Sequence, residues 1–183
     1  MKTNLSLLII ENIKTLFYAL IIAVLIRSIF FQPFYIPSSS MEPTLLIGDR
    51  IFVKKYSYGY SKHSFPFSPP FFSERIFGKE PDYGDLVVFK TPADNRTDYI
   101  KRLIGLPGDT IQFKNGKLFL NNSEILRSKV NSKYQIRCGT KSPDVNAFKE
   151  TLPNGKEYIA VYNKLGTMQN TDEYKVPIGN YFF

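Results

Sequence analysis

One cysteine, one histidine and no tryptophan occur among 183 residues. With Cys138 alone, no intramolecular disulfide can form, and a lone thiol is read as carrying no chemistry. With His63 alone, multi-histidine metal sites are excluded, and no cysteine lies near it to complete a ligand set. A serine–histidine triad would have to use the same His63, which sits in a stretch rich in Tyr and Phe and is set aside. Acidic charge is also short: 16 Asp and Glu against 24 Lys and Arg leave a net +8. That balance suits an anionic partner, either a membrane surface or a nucleic acid. The cations are scattered, without a run of five, which favours the membrane over nucleic acid. No cofactor is expected. The length suits one ordinary domain plus an appendage.

What is there begins with an apolar run. Residues 16–31 read Leu-Phe-Tyr-Ala-Leu-Ile-Ile-Ala-Val-Leu-Ile-Arg-Ser-Ile-Phe-Phe. Extended back to Ile13, the run approaches the ~20 residues an α-helix needs to cross ~30 Å of hydrocarbon. Arg27 lies near its far end, where a long side chain snorkels to the interface. A cleavable signal sequence would need small residues after the apolar core, and Ile29-Phe30-Phe31-Gln32-Pro33 is too bulky. A buried core helix would carry a polar face, and none shows between Phe17 and Ile26. The reading is an uncleaved membrane anchor within 1–33, followed by a second region at 34–183. Lys2 and Lys14 precede the span and Arg27 follows, so charge leans only slightly toward a cytoplasmic N-terminus.

Beyond residue 45 the pattern changes to short β-type runs behind turn residues. Ile51-Phe52-Val53 follows Gly48-Asp49, Leu86-Val87-Val88-Phe89 follows Gly84-Asp85, and Thr110-Ile111-Gln112-Phe113 follows Pro107-Gly108-Asp109. Asn115-Gly116 between two apolar runs is a strong hairpin signal, and Asn154-Gly155 before residues 158–162 is a second. No long amphipathic helix and no internal repeat appear after the anchor, so a mainly β domain of coiled antiparallel strands is expected. Residues 65–72, Phe-Pro-Phe-Ser-Pro-Pro-Phe-Phe, stand apart. Three prolines exclude a central strand, leaving a loop folded over the core or an apolar flap dipping into a bilayer.

Two stretches carry chemistry. The first is Phe34-Tyr35-Ile36-Pro37-Ser38-Ser39-Ser40-Met41-Glu42-Pro43-Thr44-Leu45. Pro37 and Pro43 each fix φ near −65° and push the preceding residue toward extended backbone. The product is a stiff strap bearing hydroxyls, readable as a linker or as the seat of a nucleophile. A serine nucleophile needs a base, and a lysine serves if burial lowers its pKa from about 10.4. In Tyr99-Ile100-Lys101-Arg102-Leu103-Ile104, strand alternation puts Lys101 on one face and Arg102 on the other. Arginine does not usefully deprotonate, so Lys101 is the base candidate of the two. The bland alternative is an edge strand whose cations simply reach solvent.

Residues 36–45, the run Gly84-Asp85-Leu86-Val87-Val88-Phe89, and the run Tyr99-Ile100-Lys101-Arg102-Leu103-Ile104-Gly105-Leu106-Pro107-Gly108-Asp109 together resemble three ordered motifs of bacterial type I signal peptidases. The anchor ahead of them fits the same family. The resemblance implies a coiled β-sheet catalytic domain on the outer side of the bacterial inner membrane and a single span with a cytoplasmic N-terminus. It implies Ser40 as nucleophile, Lys101 as general base, and an oxyanion hole from the Ser38 hydroxyl and the Ser40 backbone N–H. The implied partners are membrane lipid and the signal peptides of exported preproteins, cut after small residues. Phe34, Ile36, Met41, Leu45, Tyr99 and Ile100 match positions lining the shallow substrate pockets. A disulfide found in some members is impossible here. Residues 176–183 resemble the lead-in to the family's last box, a Gly-Asp-Asn-Arg segment with a following serine that orients the lysine. On this reading the chain is C-terminally truncated. Two rivals stand beside the peptidase. One is a non-catalytic, membrane-anchored β module binding apolar segments. The other is a self-cleaving Ser–Lys protease related to transcriptional repressors, which the anchor and the lack of a DNA-binding helix pair disfavour.

Overall fold

The computed structural model describes residues 5–65, 75–131, 134–137, 144–163 and 169–183. Of the aromatic segment 65–72 only Phe65 is among them, and Cys138 lies outside. The fold is mainly β, with one N-terminal apolar helix.

Helix α1 spans Leu5–Ile29. Its Leu, Ile and Ala content suits a helix, and the backbone continues only as far as the bond from Phe30 N–H to the Ile26 carbonyl at 2.9 Å. Leu7–Ile29 is 23 residues long and apolar enough to cross a membrane. At 1.5 Å per residue that is about 35 Å, more than the ~30 Å of a hydrocarbon core. Every side chain from Leu7 to Arg27 is exposed in the isolated chain. The helix therefore draws none of its burial from the protein along that length.

Twelve strands follow among the described residues. They are β1 Phe31–Tyr35, β2 Arg50–Lys54, β3 Leu86–Lys90, β4 Asp98–Arg102, β5 Thr110–Lys114 and β6 Lys117–Leu120, then β7 Ser123–Glu124, β8 Leu126–Lys129, β9 Tyr134–Gln135, β10 Asp144–Thr151, β11 Glu157–Asn163 and β12 Tyr174–Lys175. They form the pairs β1-β2 and β3-β4, a sheet of order β12-β5-β6-β7, and a sheet of order β11-β10-β8 with β9 also on β10. The chain packs as two units, one joining 1–34 to 51–80 and the other joining 35–50 to 81–183.

In the first unit, Tyr60 pairs with Ile76 across an isolated antiparallel bridge. The Tyr60 hydroxyl donates to the Ile29 carbonyl at 2.9 Å, satisfying one of the orphan groups at the end of α1.

The second unit holds the core. Ile111, Leu118, Leu120, Ile125, Leu152 and Val176 are buried together, with Tyr83, Ile104, Phe113, Tyr158 and Phe182 packed against them. Leu118 and Leu120 alternate with half-buried neighbours, the period-2 pattern of a strand with one inward face. Each such side chain contributes roughly 1.5–3 kcal/mol on burial. The β5–β6 hairpin is built as its sequence demands. Asn115 and Gly116 both take positive φ, 50° and 69°, the pair of left-handed residues that a type I′ turn requires. The register then sets Lys114 opposite Lys117 and Ile111 opposite Leu120. Asn154-Gly155 makes a longer turn than a two-residue hairpin. Only Gly155 is left-handed there (φ 80°), Thr151 pairs with Glu157, and five residues connect β10 to β11.

The longest strand, β10, was not foreseen. Its sequence, Asp-Val-Asn-Ala-Phe-Lys-Glu-Thr, has weak β propensity. It forms because it is central: β11 lies on one side and β8 and β9 on the other. Its Glu150 is 1% exposed, and the carboxylate accepts from the Tyr158 hydroxyl at 2.6 Å and the Tyr162 hydroxyl at 2.5 Å. A buried carboxylate is tolerable only with such partners.

Candidate active site

The strap between the two prolines is pinned at both ends. Ile36 N–H donates to the Asp49 carbonyl at 2.9 Å, and Gly48 N–H returns a bond to the Ile36 carbonyl at 3.0 Å. Ser38 is extended (φ −134°, ψ 155°) and caps a single 3₁₀ turn at Ser39–Met41. Glu42 N–H closes that turn on the Ser39 carbonyl, and Leu45 N–H reaches the Met41 carbonyl, both at 2.9 Å. Ile36 and Met41 are 2% and 7% exposed, whereas Ser38 and Ser40 face solvent. Two apolar side chains thus hold the backbone down while the hydroxyls between them stay outside. The Glu42 carboxylate adds a tie, accepting from the backbone N–H of Arg137 at 2.9 Å.

The lysine comes from β4, which pairs with β3 so that Lys101 stands opposite Val87 and Tyr99 opposite Phe89. The strand is continued by Leu103, 0% exposed. Its N–H donates to the Asp85 carbonyl at 2.9 Å, and its own carbonyl accepts from Gly84 N–H at 2.7 Å. This rigid end fixes the stem of Lys101, whose Nζ donates to Ser40 Oγ at 2.5 Å. Ser38 Oγ lies 3.4 Å from Ser40 Oγ. The Lys101 pKa is lowered from the usual lysine value by desolvation. The Tyr99 ring, its centroid 5.9 Å from Nζ, favours the charged form. At that distance, with the ring half exposed, its effect is the smaller one.

Serine and lysine are thus in hydrogen-bond contact, with a second hydroxyl beside the serine. That is the atomic requirement for a nucleophile and a base. The sequence profile of the family described as "Signal peptidase, peptidase S26" matches residues 9–183. The chain belongs to this family.

Relatives agree with that assignment. The chain is similar to the protein named Signal peptidase I of Rickettsia conorii (strain ATCC VR-613 / Malish 7), 45% identical over 177 residues that cover 91% of this chain and 64% of that protein. It is 42% identical to Signal peptidase I of Rickettsia canadensis (strain McKiel) over 191 residues, covering 100% of this chain and 71% of the relative. For Signal peptidase I of Rickettsia typhi (strain ATCC VR-144 / Wilmington) the identity is 40% over 193 residues, covering 100% and 70%. The chain therefore spans a little under two thirds of the length of the Rickettsia conorii peptidase.

The remaining pocket candidates of this signal peptidase family member divide by exposure. Tyr99 is 49% exposed, on the same face of β4 as Lys101, while Ile100 is half-buried on the opposite face by strand alternation. Leu45 is half-buried beside the strap, and Phe34 belongs to the other packing unit. Ile36 and Met41 are almost wholly covered and act first as anchors of the strap. Sequence reasoning weighed Arg102 only as a base and gave Thr44 no role, yet an Arg102 guanidinium nitrogen donates to Thr44 Oγ1 at 3.0 Å. The partners are 58 positions apart, and no local pattern in either stretch announces the bond.

Proposed function

We propose that the chain is a membrane-bound serine endopeptidase that removes N-terminal signal peptides from exported preproteins. Residues 1–33 form its tip and single-pass anchor, and 34–183 its peptidase domain. The N-terminus is cytoplasmic and the domain lies on the outer side of the bacterial inner membrane. The observation that carries the reading is the 2.5 Å approach of Lys101 Nζ to Ser40 Oγ by a desolvated lysine.

In the reactive state the amine is neutral, so the bond reverses: the Ser40 hydroxyl donates to the Nζ lone pair. Lys101 takes that proton as Ser40 Oγ attacks the carbonyl carbon of the scissile bond. The tetrahedral oxyanion is stabilised by the Ser38 hydroxyl and the Ser40 N–H, donors of the kind worth about 10²–10³-fold each. The Lys101 ammonium then protonates the leaving amine, releasing the mature protein and leaving the signal peptide esterified to Ser40. Water attacks the ester, its proton passing to Lys101 and from there to Ser40 Oγ as the acyl bond breaks. The serine hydroxyl and neutral amine are restored, and the signal peptide leaves as an acid that ionises to its carboxylate in solvent. Within the second unit, Ile36, Met41, Leu45, Tyr99 and Ile100 line shallow pockets that admit only small side chains before the bond. No cofactor enters.

The test is cleavage of a preprotein bearing alanine at the first and third positions before the bond. Ser40→Ala and Lys101→Ala abolish product release on this account. Wild type that binds the substrate and cleaves no faster than Ser40→Ala would return the chain to the non-catalytic β module.

A further inference from the structure

Arg102 is neighbour to the lysine in sequence but stands on the other face of β4, and its guanidinium makes three contacts in the second packing unit. One nitrogen donates to the Gly84 carbonyl at 3.0 Å and another to Thr44 Oγ1 at 3.0 Å. The plane lies over the Tyr158 ring, 4.8 Å from its centroid. Tyr158 is in turn fixed by its hydroxyl bond to buried Glu150. Among the described residues Arg102 pairs with no carboxylate, so its forked donors are free to span two separate segments. That is a geometry lysine's single ammonium does not reproduce. The Thr44 end matters most. Thr44 lies four residues past Ser40 on the strap, and Arg102 is bonded directly to Lys101 on its strand.

We propose that Arg102 is a positioning residue that ties the nucleophile strap to the strand of the base, with the stacked Tyr158 and buried Glu150 as its fixed support. The proposal rests on the reading of Ser40 and Lys101 as the reacting pair. The arm from Gly84 through Arg102 to Thr44 sets how the strap is held over β4, while Ile36 and Met41 set only its depth. A displacement of about 1 Å in a reacting pair costs on the order of 10²-fold in rate, so a tie of this kind acts on turnover more than on substrate affinity.

The experiment uses the full chain in detergent micelles and two readouts. The first is steady-state cleavage of the alanine-bearing preprotein. Thr44→Val is expected to lower kcat about tenfold with KM within about twofold, and Thr44→Ser, which keeps the hydroxyl, to restore it. Arg102→Gln is expected to lower kcat by about 10–100-fold, and the double variant with Thr44→Val to fall no further than Arg102→Gln alone. The second readout needs no activity. Amide hydrogen exchange across residues 38–48 should speed up about tenfold in Thr44→Val and in Arg102→Gln, while β10 and β11 are unchanged in Thr44→Val. Unaltered exchange across the strap overturns the tie, as do independent, multiplying losses in the double variant or a Thr44→Ser variant as slow as Thr44→Val. Wild type that exchanges as expected but never cleaves removes the peptidase reading and leaves the tie standing as structure alone.

Discussion

The two faces of β4 carry adjacent cations in the same predicament, and the proposed mechanism puts them to opposite uses. Burial draws the pKa of both Lys101 and Arg102 below the ordinary value for each side chain. On one face the lysine meets a serine hydroxyl and an aromatic ring, with no carboxylate near enough among the described residues to pair with its charge. Desolvation favours the neutral form of the lysine. On the other face the arginine meets a carbonyl, a hydroxyl and a ring. Arginine stays charged whatever that burial costs, so it serves only as a fixed donor. On the proposed reading, burial of the same sign gives a base in one case and a strut in the other, and the difference lies in the side chain's own acidity.

Breaking the comparison at the lysine face has the largest expected effect. Ser40→Ala and Lys101→Ala should each lower kcat by about 10⁴-fold or more, as removal of a nucleophile or its base does elsewhere. Lys101→Arg, which keeps charge and length, should not rescue, since a guanidinium cannot accept the proton. Product formation followed by gel or mass spectrometry checks all three.

The pH profile sharpens the same point. On the proposed mechanism the working form of Lys101 is the neutral amine, and its folded pKa is depressed, so kcat/KM should climb from acid to alkaline pH. The rise approaches tenfold per unit below the pKa and levels off at a value lower than the usual ~10.4 of lysine. A profile flat from pH 5 to 10 would leave Lys101 without a role as base.

Stability variants reverse the ranking of the two cations. Arg102→Met strips donors from the Gly84 carbonyl and Thr44 and should cost about 1–3 kcal/mol. Lys101→Met replaces a desolvated ammonium with an apolar chain of similar length and should cost nothing or stabilise slightly. Urea unfolding of the detergent-extracted protein separates the two. Smaller again is Tyr158→Phe. It keeps the ring beneath Arg102 and removes one of the two hydroxyls on Glu150, a loss of about 1–2 kcal/mol with a smaller fall in kcat than Arg102→Gln.

Much of this was legible in the sequence where the signal is local. The apolar run became α1, and Asn115-Gly116 made the hairpin its chemistry requires. The runs after Gly48-Asp49, Gly84-Asp85 and Pro107-Gly108-Asp109 became β2, β3 and β5 within a residue or two. Period-2 alternation around Lys101 was enough to assign the two cations to opposite faces. Where the determinant is distant, sequence reading failed. Strand β10 has a polar composition and exists because strands on both sides satisfy it, and Glu150 is hidden by tyrosines 8 and 12 residues downstream. Arg102 was set aside because it could not be a base. Its work with Thr44 depends on the strap and β4 meeting across 58 positions, which alternation within a single strand cannot reveal.

The central claim is that Ser40 is a nucleophile activated by Lys101, and covalent trapping reads it directly. The full chain in micelles is treated with a serine-reactive acylating probe and digested, and the adduct is located by peptide mass spectrometry at pH 8. The account predicts one adduct on Ser40, formed at least about 10²-fold more slowly in Lys101→Ala. Labelling of Lys101→Ala at the wild-type rate, or an adduct on another serine with Ser40 unmodified, would contradict it.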